Sequence, residues 1–346
     1  MSTSDSSKDI ASRGEAVNVP PINLAGIRRA LRIKFVSDSM LLFLGCAVGV
    51  FGFCWFRIWI VGNLDTKKFR QIIDLLPDDW RNFASVDFDW LVSYIGRTSL
   101  TLDEPTLVSF VCLWVLVRGS DVVSGEVNRG TMELLAAQPV SRKRLYFSHA
   151  SMTLVGLVLL MGLTWLGMAA GIWTTSVEES VYPVIRIPLV GYEIPLTFLE
   201  PRTENVPMSS EVNPLVFFPG VFNLFCIGFF LGGLAAMCSA MDRYRWRTLG
   251  ILAAIYFSGA LMKMLAMAKE SYDWINYVTF FGYYHPASAI VLCQDNAWEF
   301  FSLTQETSKG MQLAPVVNCV ILLVVGAVFY AVGYRVFERR DIPAPL

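Results

Sequence analysis

Few residues of this chain have the types and spacing that catalysis needs. Only two histidines are present, His149 and His285, and neither has a cysteine at a metal-site spacing. The sequence contains no Gly-x-x-x-x-Gly-Lys-Ser/Thr phosphate loop, no Gly-x-Ser-x-Gly and no His-Glu-x-x-His. With so few candidate bases and nucleophiles, we predict that this chain is not an enzyme and hydrolyses no ATP through a phosphate loop of its own.

Sulfur side chains are numerous but do not form a recognisable site. The seven cysteines are scattered, most of them inside apolar runs, and no Cys-x-x-Cys occurs, so neither a disulfide framework nor a metal site is predicted. Met262, Met264 and Met267 lie close together beside Lys263, and thioethers do bind Cu(I). Because methionine is also a common packing residue, we interpret this cluster as packing and predict no metal.

The elements that must position any site are membrane-spanning helices. Charged residues make up 16% of the 346 residues and hydrophobic residues 54%, whereas a soluble domain has roughly 25% charged residues. Several apolar runs have the length of about twenty residues that a membrane span needs. The first twenty residues are polar, so no cleavable signal peptide is expected. The composition therefore predicts an all-α polytopic membrane protein.

Six transmembrane helices are predicted, at about residues 39–61, 105–123, 145–173, 215–241, 248–267 and 314–336. The second is the least regular, because its apolar run at 107–117 is short and must continue through Arg118 and Asp121. These two residues can pair three positions apart on a helix. An unpaired charge at mid-bilayer costs about 2.5–3.5 kcal/mol, so we predict an internal Arg118–Asp121 link. Arg57, near the end of the first span, is expected to snorkel to the interface.

Basic residues are distributed unevenly among the connecting segments. Seventeen Lys and Arg residues lie in one set of segments, the N-terminus to residue 38, 118–144, 242–247 and 335–346. The other set, loops 62–104, 175–213 and 268–313, holds nine Lys and Arg against nineteen Asp and Glu. By the positive-inside rule the first set is cytoplasmic. The sequence predicts a multi-pass protein of the cytoplasmic (inner) membrane with both termini in the cytoplasm.

Two parts are predicted in the domain organisation. Residues 1–22 are polar and are expected to form a disordered cytoplasmic tail, and residues 23–346 a single transmembrane domain. At the start of that domain, apolar residues recur at helical spacing with basic residues mostly on the other faces: Leu24, Ile27, Leu31 and Phe35. This pattern predicts an N-terminal amphipathic elbow helix at the membrane surface.

The loops outside the cytoplasm carry weaker patterns. Residues 72–76 favour one short amphipathic helix. A β-branched run at 181–194, interrupted by prolines, favours a hairpin or an extended segment. Residues 277–293 are apolar and aromatic but are broken by Gly282 and Pro286. That last stretch is predicted to form outer re-entrant or interfacial helices between the fifth and sixth spans.

A polar and basic stretch at 124–144 lies between the second and third spans. Residues 126–138 are predicted to form a short helix, which Gly130 weakens and Pro139 ends. Ser141 can then cap the next helix. The stretch therefore predicts a helix-break-helix elbow just outside the membrane, although a generic cytoplasmic loop is the plainer alternative.

This elbow resembles the signature between the second and third spans of ABC-2-type transporter permeases, the membrane subunits of a class of ABC transporters. The matching residues are Glu126, Gly130-Thr131, Leu134-Leu135 and Pro139-Val140-Ser141-Arg142. Asn128 departs from the pattern, because the family often has a second acidic residue there. Phe337 followed by Arg339-Arg340-Asp341 also resembles the C-terminal ending of that family.

The resemblance implies a function and a set of contacts. In that family the elbow is the cytoplasmic coupling helix, which docks on a separate ATPase subunit. Six residues would then make the ATPase contact: Glu126, Arg129, Gly130, Thr131, Leu134 and Leu135. Arg118 and Asp121 would form the internal link to the second span. The chain is expected to be the permease subunit of an exporter of unidentified substrate.

The same resemblance implies the partners and cofactors. Two six-span permeases would pair as a homodimer or heterodimer with the substrate path between them, surrounded by membrane lipids. ATP and Mg²⁺ would be held by the partner ATPase, and this chain would hold no cofactor. No nucleic-acid partner is predicted.

Two other functions remain open. A non-transport membrane scaffold, for example an anchor for an envelope complex, would also have six spans but would not bind an ATPase through 124–142. A secondary transporter or membrane enzyme would need Asp121, His149 or His285 to be essential while the elbow is dispensable. Ion-coupled transport usually requires buried carboxylates near mid-membrane, and only Asp121 qualifies by residue type.

Overall fold

The computed structural model describes residues 24–64, 90, 92–137, 140–181, 184–186, 193–195, 202–268, 270–302, 304–307 and 310–340. Six helices in this part of the chain are long and apolar enough to cross a membrane, so the protein is all-α and polytopic, as predicted. We number these spans 1 to 6: Val36–Asn63, Tyr94–Asn128, Arg142–Thr174, Pro214–Met241, Arg245–Ala268 and Pro315–Arg339. By internal contacts the chain divides into two compact units, residues 1–38 and 39–346.

Some predictions fall outside the described residues. The disordered tail at 1–22 and the short helix at 72–76 both lie there. The helix that contains span 1 begins at Leu24, so residues 24–38 are helical. Their position at the membrane surface stays a prediction.

Span 2 begins earlier than the predicted residue 105. An α-helix at Tyr94–Asp103 comes first, and the hydroxyl of Ser93 caps it by accepting from the Gly96 amide at 2.9 Å. The backbone is extended at Glu104, and the next helix, Pro105–Ser120, starts on a proline, which the first turn of a helix tolerates. Hydropathy could not detect the first segment because much of its buried surface is polar: Arg97, Thr98, Ser99 and Thr101.

The N-terminal part of the bundle is joined by an ion pair. Nε and Nη2 of Arg57, in span 1, each lie 3.3 Å from a carboxylate oxygen of Glu104 in span 2. Arg57 therefore does more than snorkel to the interface, because a specific carboxylate on another span compensates its charge.

The end of span 2 is irregular. After Pro105–Ser120 the chain forms one π-helical turn at Asp121–Gly125 and a last α-helical turn at Glu126–Asn128. The prediction of a single helix over 126–138 was wrong, because the helix is interrupted at Arg129 and Gly130. Gly130 has φ 70°, in the left-handed region that favours glycine, and it lets the chain turn into a second short helix at Thr131–Ala136.

Span 3 begins where the sequence predicted a cap. Ser141 is extended, and its hydroxyl accepts from the Arg144 amide at 3.4 Å. Gln138 and Pro139, the predicted stop of the preceding helix, lie outside the described residues.

The remaining connections contain short strands and helices. Strand β1 (Ser176–Val181) pairs antiparallel with β4 (Arg202–Pro207), with Ser176 opposite Pro207. The predicted extended run forms the pair β2 (Val184–Arg186) and β3 (Glu193–Pro195), and a third pair joins β5 (Thr304–Thr307) to β6 (Gly310–Leu313). Short helices complete the loops: Met208–Glu211, Glu270–Tyr277, Phe280–Tyr283, Pro286–Asp295 and Ala297–Phe301.

The helical segment between spans 5 and 6 is broken, as Gly282 and Pro286 predicted. Asn223 of span 4 satisfies the backbone at the break, since its amide nitrogen donates to the Tyr283 carbonyl at 3.3 Å and its oxygen accepts from the His285 amide at 3.0 Å. Irregular backbone is tolerated among membrane helices where protein groups satisfy it in this way. Its depth in the membrane stays a prediction.

Spans 4 and 6 run in the same direction and pack with their backbones very close together. A Cβ at Gly233 would lie 2.5 Å from the Gly326 carbonyl oxygen, and one at Gly326 would lie 3.0 Å from Cα of Phe230. About two turns later in span 6 the same is true of Gly333, where a Cβ would lie 2.9 Å from Cα of Met237. Small residues permit this approach, which stabilises helix pairs in membranes through van der Waals contact.

Candidate functional site

Asp121, at the start of the π turn, lies at the centre of an ion cluster. Its carboxylate oxygens lie 3.7 Å from Nη1 of Arg118, 3.1 Å from Nη1 of Arg129 and 3.1 Å from Nε of Arg245. The carboxylate side chain is only 8% exposed. Since a buried charge requires nearby compensation, one carboxylate here holds three arginines from span 2, the elbow and span 5 at the same point.

Glu126 is the second carboxylate of the cluster and is fully buried. Nη2 of Arg129 lies 2.9 Å from it, the Thr131 hydroxyl donates to it, and Nε2 of His149 in span 3 lies 3.8 Å away. Arg129 therefore bridges Asp121 and Glu126. Although its partial burial acts in the opposite direction, these two carboxylates raise the pKa of Arg129 above its ordinary value.

The residues that the sequence assigned to the ATPase contact are divided between two faces. Glu126 and Thr131 face inward, where they bond to each other. Leu134 is 70% exposed and Leu135 half-buried, while Met132 in the same short helix is buried. Gly130 is exposed, and so is part of the Arg129 side chain. The elbow thus has a polar inner face that fixes its position and an outer face that presents Leu134.

Two arginines cap the helix ends beside the elbow. Nη1 of Arg142 donates to the carbonyls of Phe337 and Arg340, at 3.3 and 2.6 Å, at the end of span 6. Nη1 of Arg340 in turn donates to the carbonyls of Ala240 and Asp242, at 2.7 and 2.9 Å, at the end of span 4. Carbonyls at a helix C-terminus have no partner within the helix, and a cation there also opposes the helix dipole favourably. The two segments that carry the family resemblance are therefore in direct contact.

The Asp242-Arg243-Tyr244 sequence has a structural explanation. One carboxylate oxygen of Asp242 accepts from the backbone amides of Arg243 and Tyr244 at 2.7 and 3.2 Å, and the other lies 3.0 Å from Nε of Arg247. Asp242 therefore organises the short turn into span 5.

Sequence reasoning did not recognise Arg245 as a member of the cluster and did not connect His149 to Glu126. Arg245 was counted only among the basic residues of a cytoplasmic loop, and no local pattern distinguishes it from its exposed neighbour Arg247. His149 had no partner at helical spacing because its neighbour Glu126 lies on another span. Among the residues that the structure describes, no group of three His, Cys, Asp or Glu is placed to hold a metal ion.

A second polar cluster lies at the opposite end of the bundle. Nζ of Lys263 donates to the Tyr284 carbonyl at 2.9 Å, and the Tyr284 hydroxyl donates to the Leu102 carbonyl. Nε2 of His285 lies 2.8 Å from the Gly282 carbonyl oxygen. Because that oxygen can only accept, Nε2 carries the proton of a neutral ring.

This histidine makes stability depend on pH. Burial, and then the Lys263 ammonium, lower the pKa of His285 to about 3, although the bond to Gly282 opposes the shift. In the unfolded chain the pKa is about 6.5. Since the unfolded state binds the additional proton, stability contributed by the neutral ring is present above pH 6.5 and is lost as pH falls toward 3. The melting temperature is expected to fall between about pH 7.5 and pH 5, and His285→Gln should reduce that fall. An equal pH dependence in wild type and variant would contradict this assignment.

The sequence matches the family described as "ABC-2 family transporter protein" over residues 61–342, and the chain belongs to that family. The matched region includes spans 2 to 6 and the elbow. No curated protein matches the chain in sequence. The protein is therefore a multi-pass membrane permease of an ABC transporter, and its family implies an ABC ATPase subunit as partner.

Proposed function

We propose that this permease is the membrane subunit of an exporter and that the two short helices of its elbow, within residues 126–136, form the coupling helix that docks on the ATPase. The observation that carries the proposal is the division of the elbow into two faces. The Glu126 carboxylate and the Thr131 hydroxyl bond inward, and the outward face offers Leu134, 70% exposed, on a short helix. An exposed leucine can serve as an aliphatic anchor for an apolar pocket on a partner.

The ion cluster supports a coupling role for this surface. Arg129 bonds at once to Asp121 in the π turn and to Glu126 in the last turn of span 2. Asp121 also bonds to Arg245 at the start of span 5. A displacement of the elbow would therefore move the ends of spans 2 and 5 together, as a rigid-body motion driven by ATPase closure. In this proposal Leu134 and Arg129 contact the ATPase, while Glu126 and Thr131 position them.

The rest of the assembly follows from the same proposal. ATP and Mg²⁺ would be bound by the ATPase, and two permeases would pair around the substrate path. Spans 1 and 5 are the least buried of the six, since only 22% and 17% of their most apolar segments are buried within the protein. They therefore offer surface for lipid or for a second permease. Both termini and the elbow would face the cytoplasm, at the inner membrane, because basic residues are concentrated in those segments.

A pull-down with the purified permease tests the ATPase contact. Wild type should capture one ABC ATPase from the soluble proteins of its own organism, and Leu134→Asp should lose it, because a carboxylate replaces an apolar anchor without disturbing the buried cluster. Capture should fall by about tenfold or more, which corresponds to about 1.4 kcal/mol. The amount of ATPase that co-elutes with the permease is measured.

Two further variants separate docking from folding. Leu134→Met keeps the apolar surface and should bind as wild type does. Glu126→Ala should also weaken capture, but with a lower melting temperature, since it removes a buried partner of Arg129. If wild type captures no ATPase, or Leu134→Asp captures as much as Leu134→Met, the docking proposal fails and the scaffold alternative gains support.

A further inference from the structure

We propose that Ser239 of span 4 is the positioning residue through which movement of the elbow reaches the centre of the bundle. This inference rests on the proposed function and deepens it, because it names the point where span 2 transmits that movement. It starts from the π turn at Asp121–Gly125, whose five residues are all buried. The turn lies directly between the apolar part of span 2 and the elbow.

Ser239 is inserted into the hydrogen bonding of that turn. Its hydroxyl oxygen accepts from the backbone amides of Val123 at 3.0 Å and Ser124 at 2.9 Å. The same hydroxyl donates to the Ser120 carbonyl at 2.8 Å. A serine hydroxyl has one proton and two lone pairs, so all of its bonding capacity is used on the backbone of span 2.

This insertion explains why span 2 is π-helical here. Side chains that enter the i→i−4 ladder of a helix are a recognised cause of local distortion. The Ser120 carbonyl illustrates the change, since it accepts from two hydroxyls, those of Ser124 and Ser239, both at 2.8 Å. π turns are rare in proteins, but those that occur are often single turns within an α-helix at a functional site.

The neighbouring contacts connect three spans at this point. The Thr248 hydroxyl of span 5 donates to the Ser124 hydroxyl at 3.3 Å. One turn earlier, a Cβ at Gly119 would collide with the side chain of Ala235 and would lie 3.2 Å from the Gly232 carbonyl oxygen. Span 2 is therefore held against span 4 at two points, by close packing before the turn and by Ser239 within it.

The turn and the ion cluster share a residue. Asp121 begins the π turn and also bonds to Arg129 of the elbow and Arg245 of span 5. When the elbow moves, Arg129 pulls Asp121 and therefore the π turn. Span 4 then either moves together with the turn or stays in place while the turn changes its hydrogen bonds. Ser239 makes span 4 follow, because its two bonds to the turn and its bond to the preceding Ser120 carbonyl are lost if the two spans separate.

The experiment uses the full-length permease with the ATPase that it captures, both reconstituted in lipid nanodiscs. ATP hydrolysis is measured against ATP concentration for wild type, Ser239→Ala, Ser239→Thr and the control Ser151→Ala. Ser151 is exposed, and its hydroxyl donates to the Ser148 carbonyl of its own helix. Ser239→Ala should lower kcat of the permease-stimulated ATPase by about tenfold, a size typical of coupling between sites. KM for ATP and the amount of ATPase captured should not change.

Ser239→Thr keeps the hydroxyl and should restore most of the turnover, while Ser151→Ala should match wild type. A purely structural role predicts a different result, in which Ser239→Ala lowers the melting temperature but leaves kcat of the folded complex unchanged, and this would overturn the inference. If Ser239→Ala yields no folded protein, Ser239→Cys replaces it, because a thiol is only a weak donor and acceptor, and an unchanged kcat there would also overturn the inference. If wild type captures no ATPase, the proposed function itself fails, and the inference fails with it.

Discussion

Replacement of Asp121 by alanine is expected to destabilise the protein by about 3–5 kcal/mol, the usual cost of removing one partner from a buried ion pair. The structure explains why the effect should be this large. Three arginines face the carboxylate, at 3.7, 3.1 and 3.1 Å: Arg118, Arg129 and Arg245. Without Asp121, the three arginines lose the carboxylate that they share, while Glu126 still bonds to Arg129.

Thermal unfolding in nanodiscs, followed by the loss of monodisperse protein, measures this effect. Asp121→Asn should be nearly as unstable as Asp121→Ala, because the amide retains the shape but not the charge. Glu133→Ala is the matched control, since that glutamate is exposed on the elbow and should change stability little. The double variant Asp121→Ala with Arg129→Ala should recover part of the loss, because the two residues interact. A melting temperature for Asp121→Asn equal to that of wild type would show that the charge is unimportant.

Replacement of Gly326 by leucine is expected to cost about 1–3 kcal/mol by overpacking the contact between spans 4 and 6. A Cβ at this position would lie 2.8 Å from Cδ1 of Phe229 and 3.0 Å from Cα of Phe230. The ring can rotate away, but the backbone of span 4 cannot move without disturbing Gly233, which packs against the Gly326 carbonyl. The two helices must therefore separate.

Gly162 in span 3 provides the matched control, because no atom of the residues that the structure describes lies within 4 Å of a Cβ built there. Gly162→Leu should be neutral or slightly stabilising, since leucine has the higher helix propensity by up to about 1 kcal/mol. The two variants have the same change in composition and differ only in the available space. Equal melting temperatures for both would mean that the close approach of spans 4 and 6 does not contribute to stability.

These two predictions concern different ways of holding a membrane bundle together. Asp121 joins spans 2 and 5 to the elbow by charge, whereas Gly326 joins spans 4 and 6 by close packing. Ser239 lies between them in span 4, and its bonds to the π turn connect the charged end of the bundle to the packed interior. Asp121→Ala and Gly326→Leu are expected to lower stability, whereas Ser239→Ala is expected to lower ATP turnover. These results together would separate residues that hold the bundle together from a residue that couples the elbow to span 4.

The sequence alone determined the membrane architecture, because hydropathy is a local property. A run of about twenty apolar residues predicts a span wherever it occurs, and the six predicted spans overlap the six observed ones. The cap at Ser141 and the break near Pro286 were also predictable, since each depends on residues within one turn. The family could be identified from the sequence because its motif is nearly continuous along the elbow.

The tertiary structure decided everything that depends on residues far apart in the chain. The partners of Asp121 include Arg245, 124 positions away, and Ser239 meets Ser124 across 115 positions. No spacing pattern in the sequence connects such residues. The polar helix at Tyr94–Asp103 was likewise missed, because burial among other spans, and not its own hydropathy, places it in the bundle. The inward direction of Glu126 belongs to the same class, since a carboxylate turns away from solvent only where folding has brought Arg129 and Thr131 to meet it.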